Sequence, residues 1–256
     1  VWPSTRVTQK TLALSPSRIL GGAGGTLDIK VATPQTLGLA AGEFFPMGLN
    51  AEMAGDQAGE DALAASFDAP PLAEPMQMIG SARLSLRLSC DRSKALIVAR
   101  LCDVAPDGAS VRIAHGMINL CHRDSRETPS AVPVGQPIDI GLTLDQMAYR
   151  LAPGHRLRLS LSTTYWPFVW PSPEAATLTL LGGSLDLPIH EGGTQEEWVP
   201  PPAEGGPAWK HRVKRPGRAA RRVEHDLLSG LVALVVENDE GDIENLDHGL
   251  VSGGSM

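Results

Sequence analysis

Aromatic side chains are scarce in this sequence: five Trp, two Tyr and four Phe in 256 residues. Cysteine is scarcer still, and odd in number, at three. A small secreted fold stapled by disulfides needs paired and denser cysteines, so that class is set aside. Cys90, Cys102 and Cys121 each fall in an apolar run, where a free thiol behaves as a small buried hydrophobe. The expectation is a reduced, cytoplasmic protein, with any targeting signal lying upstream of the sequence. No apolar run approaches the roughly 20 residues that cross a bilayer, so no membrane contact is expected. Basic residues are not in excess either. The net charge is -7, against the basic face of a nucleic-acid binder. One basic run exists, Lys210 to Arg222. Broken by Pro216 and Gly217, it reads as a solvated loop and strand edge rather than a site for an anionic partner.

The usual signs of chemistry are also missing. The nearest string to a Gly-x-Ser-x-Gly elbow, Gly182-Gly183-Ser184-Leu185-Asp186, lacks the final Gly. It lies between strand-like runs, not at the strand-to-helix turn that exposes such a nucleophile. No catalytic residue is therefore assigned. His115 and His122 are seven residues apart on one predicted strand, which points them to opposite faces. No Cys-x-x-Cys or His-x-x-x-His pair occurs, so no zinc site is expected. Asp103 and Asp107, ahead of Gly108, lack the EF-hand pattern and read as turn caps. The glycines of 21–25 precede no helix and make no phosphate cradle. His155, at a strand start after Pro153-Gly154, reads as a structural hydrogen-bonding residue. Neither cofactor nor metal is expected.

What the sequence does have is period-two alternation in short runs bounded by Gly, Pro, Asp and Ser, the strand signature. In Arg83 to Cys90, Leu84, Leu86 and Leu88 face one way and Arg83, Ser85 and Arg87 the other. Ala95 to Val104 is apolar on nearly both faces, as in a central strand. The turn around Pro106-Asp107-Gly108 predicts a hairpin with a long strand over Val111 to Arg123. Further strands are predicted over Ile138 to Leu144, Arg156 to Thr163, and, flanking Gly182-Gly183, Ala176 to Leu181 and Leu185 to Ile189. Short helices are predicted within Gly59 to Phe67 and Leu144 to Tyr149, and a loop over Thr33 to Asp56. The expected fold class is all-β, a β-sandwich or jelly roll. Residues 1–65 form its lead-in segment and loops, 66–190 its core and 191–220 a linker-like excursion. Residues 221–256 add strands, of which the uniformly apolar Leu231 to Val236 is expected to be buried. The chain opens on Val1 and closes at Ser255-Met256 after a glycine pair, which predicts a fragment of a longer protein.

Four of the eleven aromatics sit together in Tyr165-Trp-Pro-Phe-Val-Trp-Pro-Ser-Pro173. Directly after a strand and stiffened by three prolines, this run is expected to be extended. It serves either as a crossover that plugs the sandwich or as an aromatic surface for a partner domain or pocket. Tyr165, Trp166, Phe168 and Trp170 are the candidate pocket or domain-interface residues.

Four ordered motifs carry a resemblance. They are Ala69 to Gly80 (APPLAEPMQMIG), Leu101 to Gly108 (LCDVAPDG), His115 to Arg123 (HGMINLCHR) and Pro153 to Ser162 (PGHRLRLSLS). Over about residues 66 to 190 the chain resembles the C-terminal, non-catalytic domain of the Xaa-Pro dipeptidyl-peptidase and cocaine esterase serine hydrolases (the CocE/NonD group). The resemblance implies an all-β, jelly-roll-like β-sandwich of the galactose-binding type, packed on an α/β-hydrolase domain that precedes it and holds the Ser, Asp and His of the triad. The sandwich would wall one side of the acyl pocket, and the chain alone would be inactive. The other reading is a free-standing carbohydrate- or ligand-binding jelly roll. An accessory domain separated from its partner exposes an apolar patch, which predicts dimers or larger assemblies, including a homodimer.

Overall fold

The computed structural model describes residues 4–45, 53–192 and 199–255. They fall into two compact units, one within residues 1–44 and 54–192, the other within 45–53 and 193–256.

The first unit is a two-sheet antiparallel sandwich. One sheet runs β1 (Val7–Ala13), β9 (Leu178–His190), β4 (Met76–Cys90), β7 (Ile138–Leu151), with the short β2 (Ile29–Val31) also on β9. The other runs β3 (Ala65–Asp68), β8 (Arg156–Ser162), β5 (Leu96–Val104), β6 (Ser110–Asn119). Register converts alternation into a core. Across the first sheet Leu12, Leu185, Leu84 and Leu142 are neighbours on the inner face, and Thr11, Asp186, Arg83 and Thr143 on the outer. Across the second, Phe67, Leu159, Leu101 and Ala114 line up, all buried. Together these rows form one hydrophobic cluster, whose burial drives the two sheets together. The predicted hairpin of two long strands is β5 and β6, and every residue of β5 is buried.

Several local expectations differ from the structure. The predicted helix within Leu144 to Tyr149 is part of β7. There Thr143 to Gln146 spans three steps opposite two of β4, Arg83 to Ser81. This bulge buries Leu144 and Met147 on the same side, and a three-residue spacing mimics a helical face. Gly182-Gly183 does not separate two strands but lies inside β9, where β4 passes too close to Gly183 for a side chain. A Cβ on Gly183 would meet Leu86 Cδ2 at 2.6 Å and the Ser85 carbonyl at 2.7 Å. β6 stops at Asn119, whose side chain accepts from the Cys121 N–H and opens a 3₁₀ turn, Leu120–His122. His122 therefore leaves the strand that carries His115. The other predicted helix shrinks to one turn, α1 (Ala58–Asp61), before β3 begins.

The second unit is a four-stranded antiparallel sheet: β10 (His211–Arg215), β11 (Arg218–His225), β12 (Val232–Asn245) and β13 (Leu250–Ser255). β10 falls in the stretch read as a linker-like excursion. β10 and β11 lie end to end along one side of β12, interrupted at Pro216-Gly217, and β13 pairs with the second half of β12 on the other side. Arginines of the basic run are neutralised by this pairing. Arg215 binds Asp239 and Asp242, Arg218 binds Glu237, and Arg222 binds Glu237 and Glu224. Leu231 to Val236, expected to be buried, is not: Leu231 and Val236 are exposed and the residues between them half-buried. A single sheet layer encloses no interior of its own, and neither core cluster includes a described residue of this unit.

Candidate functional site

The Tyr165–Pro173 run is not extended. It turns immediately after β8, closed by the Val169 N–H donating to the Tyr165 carbonyl at 2.9 Å, with Trp166-Pro167 in cis. It also docks on the lead-in loop through the Trp166 N–H and the Leu37 carbonyl (2.7 Å). Gly38 makes the approach possible. Its φ is +124°, and a Cβ there would meet the Tyr165 carbonyl carbon and the Trp166 oxygen at 2.5 Å. Leu37, Ala41, Leu96, Val98 and Tyr165 form a second, smaller cluster on the outer face of the β3–β8–β5–β6 sheet, with Met117, Phe168 and Val169 packed against it.

The four candidate aromatics divide by depth. Tyr165 is fully buried, Trp166 and Phe168 are half-buried, and Trp170 is 82% exposed. Phe44, also 82% exposed, meets Phe168 edge-on at 5.9 Å. Phe168 in turn sits 4.9 Å from the His115 ring, and the Arg112 guanidinium lies 5.5 Å from its centroid. The run is thus anchored at Tyr165 and open at Trp170.

Beneath it lies a polar network that sequence reasoning missed. Arg100, the only charged residue inside the apolar stretch of β5 before Asp103, is fully buried on the outer face. Its Nη1 donates to Gln57 Oε1 at 2.9 Å and lies 3.5 Å from Glu60 Oε2; its Nη2 lies 3.1 Å from Asp61. Asp61, itself buried, accepts from the Ser110 and Ser160 hydroxyls at 2.7 and 2.8 Å and from Arg158 at 3.4 Å. Arg158 forks onto Asp68 at 2.6 and 2.7 Å. Glu60 Oε1 takes the N–H groups of Gly38 and Ala40, which ties the lead-in loop to α1. The Tyr165 hydroxyl donates to Gln57 Oε1 at 3.2 Å and accepts from Arg112 at 2.5 Å. Burial pushes the Tyr165 hydroxyl up to about 12, against the pull of Arg112 and Arg100. A charge within an otherwise apolar strand was the available signal. An arginine at such a position must find carboxylates, because burying it alone is prohibitively costly.

Two further residues changed meaning. Asp103 is not a turn cap; Asp107 is, accepting from the Ala109 N–H. Asp103 points into the sandwich, where it accepts from Tyr149 on β7 (2.9 Å) and lies 2.8 Å from His155 Nδ1. It bridges the sheets, and His155 has the structural role its sequence context implied. Burial, then Asp103, pushes the Tyr149 hydroxyl up to about 12. Ser184 lies mid-strand on the outer face, paired with Ser85 and Ala13. Among the described residues no group of three His, Cys, Asp or Glu side chains is placed to hold a metal ion, and no helix is long and apolar enough to cross a membrane.

Residues 1–223 match the family described as the X-Pro dipeptidyl-peptidase C-terminal non-catalytic domain. The chain belongs to that family. Among the solved structures similar to this chain is an aminopeptidase from a marine-sediment Thaumarchaeota archaeon. That structure has a TM-score of 0.67 and 15% identity, over 75% of this chain and 38% of that one. An α-amino acid ester hydrolase follows at 0.61 and 20%, over 71% and 36%. A CocE/NonD family hydrolase from Staphylococcus aureus stands at 0.55 and 12%, over 74% and 38%. These likenesses concern the fold. Cocaine esterase from Rhodococcus sp. (strain MB1 Bresler) is 23% identical over 96 residues, 38% of this chain and 17% of that protein. The chain thus spans less than two fifths of the length of these solved relatives.

Proposed function

We propose that this domain is the accessory β-sandwich of a serine hydrolase that cleaves acyl esters, acyl amides or Xaa-Pro peptides. It packs on an α/β-hydrolase domain of the same protein, in a reducing compartment, and helps to wall the acyl pocket. The observation that carries this reading is the aromatic turn. Trp170 and Phe44 are open to solvent, yet the root of the turn is tied down by the Trp166 N–H on the Leu37 carbonyl and by the Tyr165 hydroxyl on Gln57, which the buried Arg100 also binds. Large exposed aromatics on a rigid base suit a domain contact, because little conformational freedom is lost when they are covered. Family membership supports the same reading, as does the lack of a nucleophile elbow in the sequence.

The test is hydrolysis of p-nitrophenyl acyl esters and Ala-Pro-p-nitroanilide by this chain and by the full-length protein, side by side. Activity in the full-length protein alone is expected. Turnover by this chain would overturn the accessory role. Within the full-length enzyme, Trp170→Ala and Phe44→Ala are each expected to raise KM about fivefold, the size of a lost aromatic contact of about 1 kcal/mol. Unchanged KM in both would remove the pocket-wall role.

A free-standing sugar-binding module is the competing reading. A groove of about 930 Å³ does lie on the outer face of the β1–β9–β4–β7 sheet, lined by Gln9, Thr11, Arg83, Gln146 and Asp186 among others. None of its described lining residues is aromatic, which leaves a sugar ring no stacking platform. Measured affinity of this chain for a polysaccharide would favour that reading.

A further inference from the structure

β12 is paired unevenly. Residues 232–239 pair with β11 on one side, while β13 covers only 239–245 on the other. Among the described residues no strand pairs with the second side of 232–238. The turn fixes which backbone groups face that open side. The Asp226 N–H donates to the Leu231 carbonyl at 2.9 Å. Alternation then turns Ala233, Val235 and Glu237 toward β11, and the N–H and C=O groups of Val232, Leu234 and Val236 toward the open edge.

The same three residues share one face of the sheet, because side-chain direction and backbone direction alternate together. In register beside them on β11 stand His225, Val223 and Arg221. Val223 and Val236 are about half exposed, at 47% and 51%. Leu231 to Val236 contains no charge and no proline, so it lacks the devices that normally block an edge.

We propose that a second copy of this chain pairs antiparallel along this edge, on a two-fold axis through Leu234. In that register Leu234 faces its own symmetry mate, and Val232 faces Val236 of the partner subunit. All three are hydrogen-bonding positions on both strands, and both apolar faces fall on the same side of the joined sheet. A one-residue slip would set the face of Val232, Leu234 and Val236 beside that of Ala233, Val235 and Glu237, and outward backbone groups against inward ones. This self-complementarity is what an isologous contact requires, and it is why a second copy is chosen over an unrelated strand. The inference is independent of the proposed function, since β12 lies beyond the residues matched by the family.

Sedimentation equilibrium of the full 256-residue chain is expected to give a dimer. Val236→Pro removes an N–H on the open side and leaves the β11 bonds of Val235 and Glu237. It should give a monomer, as should Leu234→Lys, which sets two like charges on the axis. Circular dichroism checks that both variants stay folded. Leu234→Cys should crosslink on mild oxidation, since opposed Cα atoms in a hydrogen-bonded antiparallel pair lie about 5.5 Å apart, within disulfide reach. Ala233→Cys, on the other face and off the axis, should not. A monomeric wild type at its highest soluble concentration would overturn the proposal, even if it captured an added extended peptide. So would a dimer that survives both edge variants, or equal crosslinking at positions 233 and 234.

Discussion

Tyr149 and Tyr165, the two tyrosines of the chain, both have hydroxyls pushed up to about 12 by burial. A raised folded-state value favours the neutral form, so this stability is full below the unfolded value of about 10 and is lost as pH rises from there. Ultraviolet titration should show no tyrosinate near pH 10.5 in the folded protein; early ionisation of either ring would contradict the burial described. His115 behaves oppositely. Burial lowers it, while Asp145, 2.6 Å away, resists. A depressed histidine contributes stability that is present above about pH 6.5 and is lost as pH falls. Thermal melts between pH 7.5 and 5 should decline, and His115→Gln should flatten part of that slope. The thiols follow depth: burial pushes Cys102 up to about 12 and raises Cys90, leaving half-exposed Cys121 as the expected site of alkylation in the native chain.

At the scale of elements, β5, α1 and the aromatic turn are one assembly joined by Arg100, Asp61, Gln57 and Tyr165. Asp61→Ala would leave Arg100 and Arg158 short of a carboxylate in a dry setting. The expected loss is about 3–5 kcal/mol, the usual result of breaking a buried pair from one side, read by urea denaturation. A loss below about 1 kcal/mol would mean that the network is solvated in the way of surface pairs. Gly183→Val tests the close passage of β9 against β4. It should destabilise the sandwich by at least about 1 kcal/mol, the lower end for overpacking, because the obstructing Ser85 carbonyl is backbone and cannot swing aside.

The whole molecule divides its apolar residues unequally. The sandwich buries leucines from both sheets in one cluster, so Leu159→Ala should cost about 2–5 kcal/mol, the range for a buried leucine that leaves a cavity. Among the described residues, the sheet of β10 to β13 contributes to no such cluster. A leucine or valine removed from its face should change the stability of an isolated chain little, and matter only once a partner covers it.

Much of this was legible in the sequence. Strict alternation in Arg83 to Cys90 and Arg156 to Thr163 determined both the strands and their buried faces, because a strand's side chains have only two directions. The Pro106-Asp107-Gly108 turn determined the β5–β6 hairpin, and four ordered motifs determined the family. Only the tertiary structure decided the rest. A bulge in β7 broke the alternation that sequence reading relies on, and Gly183 of β9 answered a neighbouring strand 97 residues earlier in register, Leu86 beside Gly183. Arg100, Asp61, Gln57 and Tyr165 became one network through contacts 39 to 108 residues apart in the chain. Whether apolar Leu231 to Val236 is buried depended on a second layer, which no local pattern encodes. Periodicity reports which way a side chain points; what it points at is fixed by the packing of distant segments.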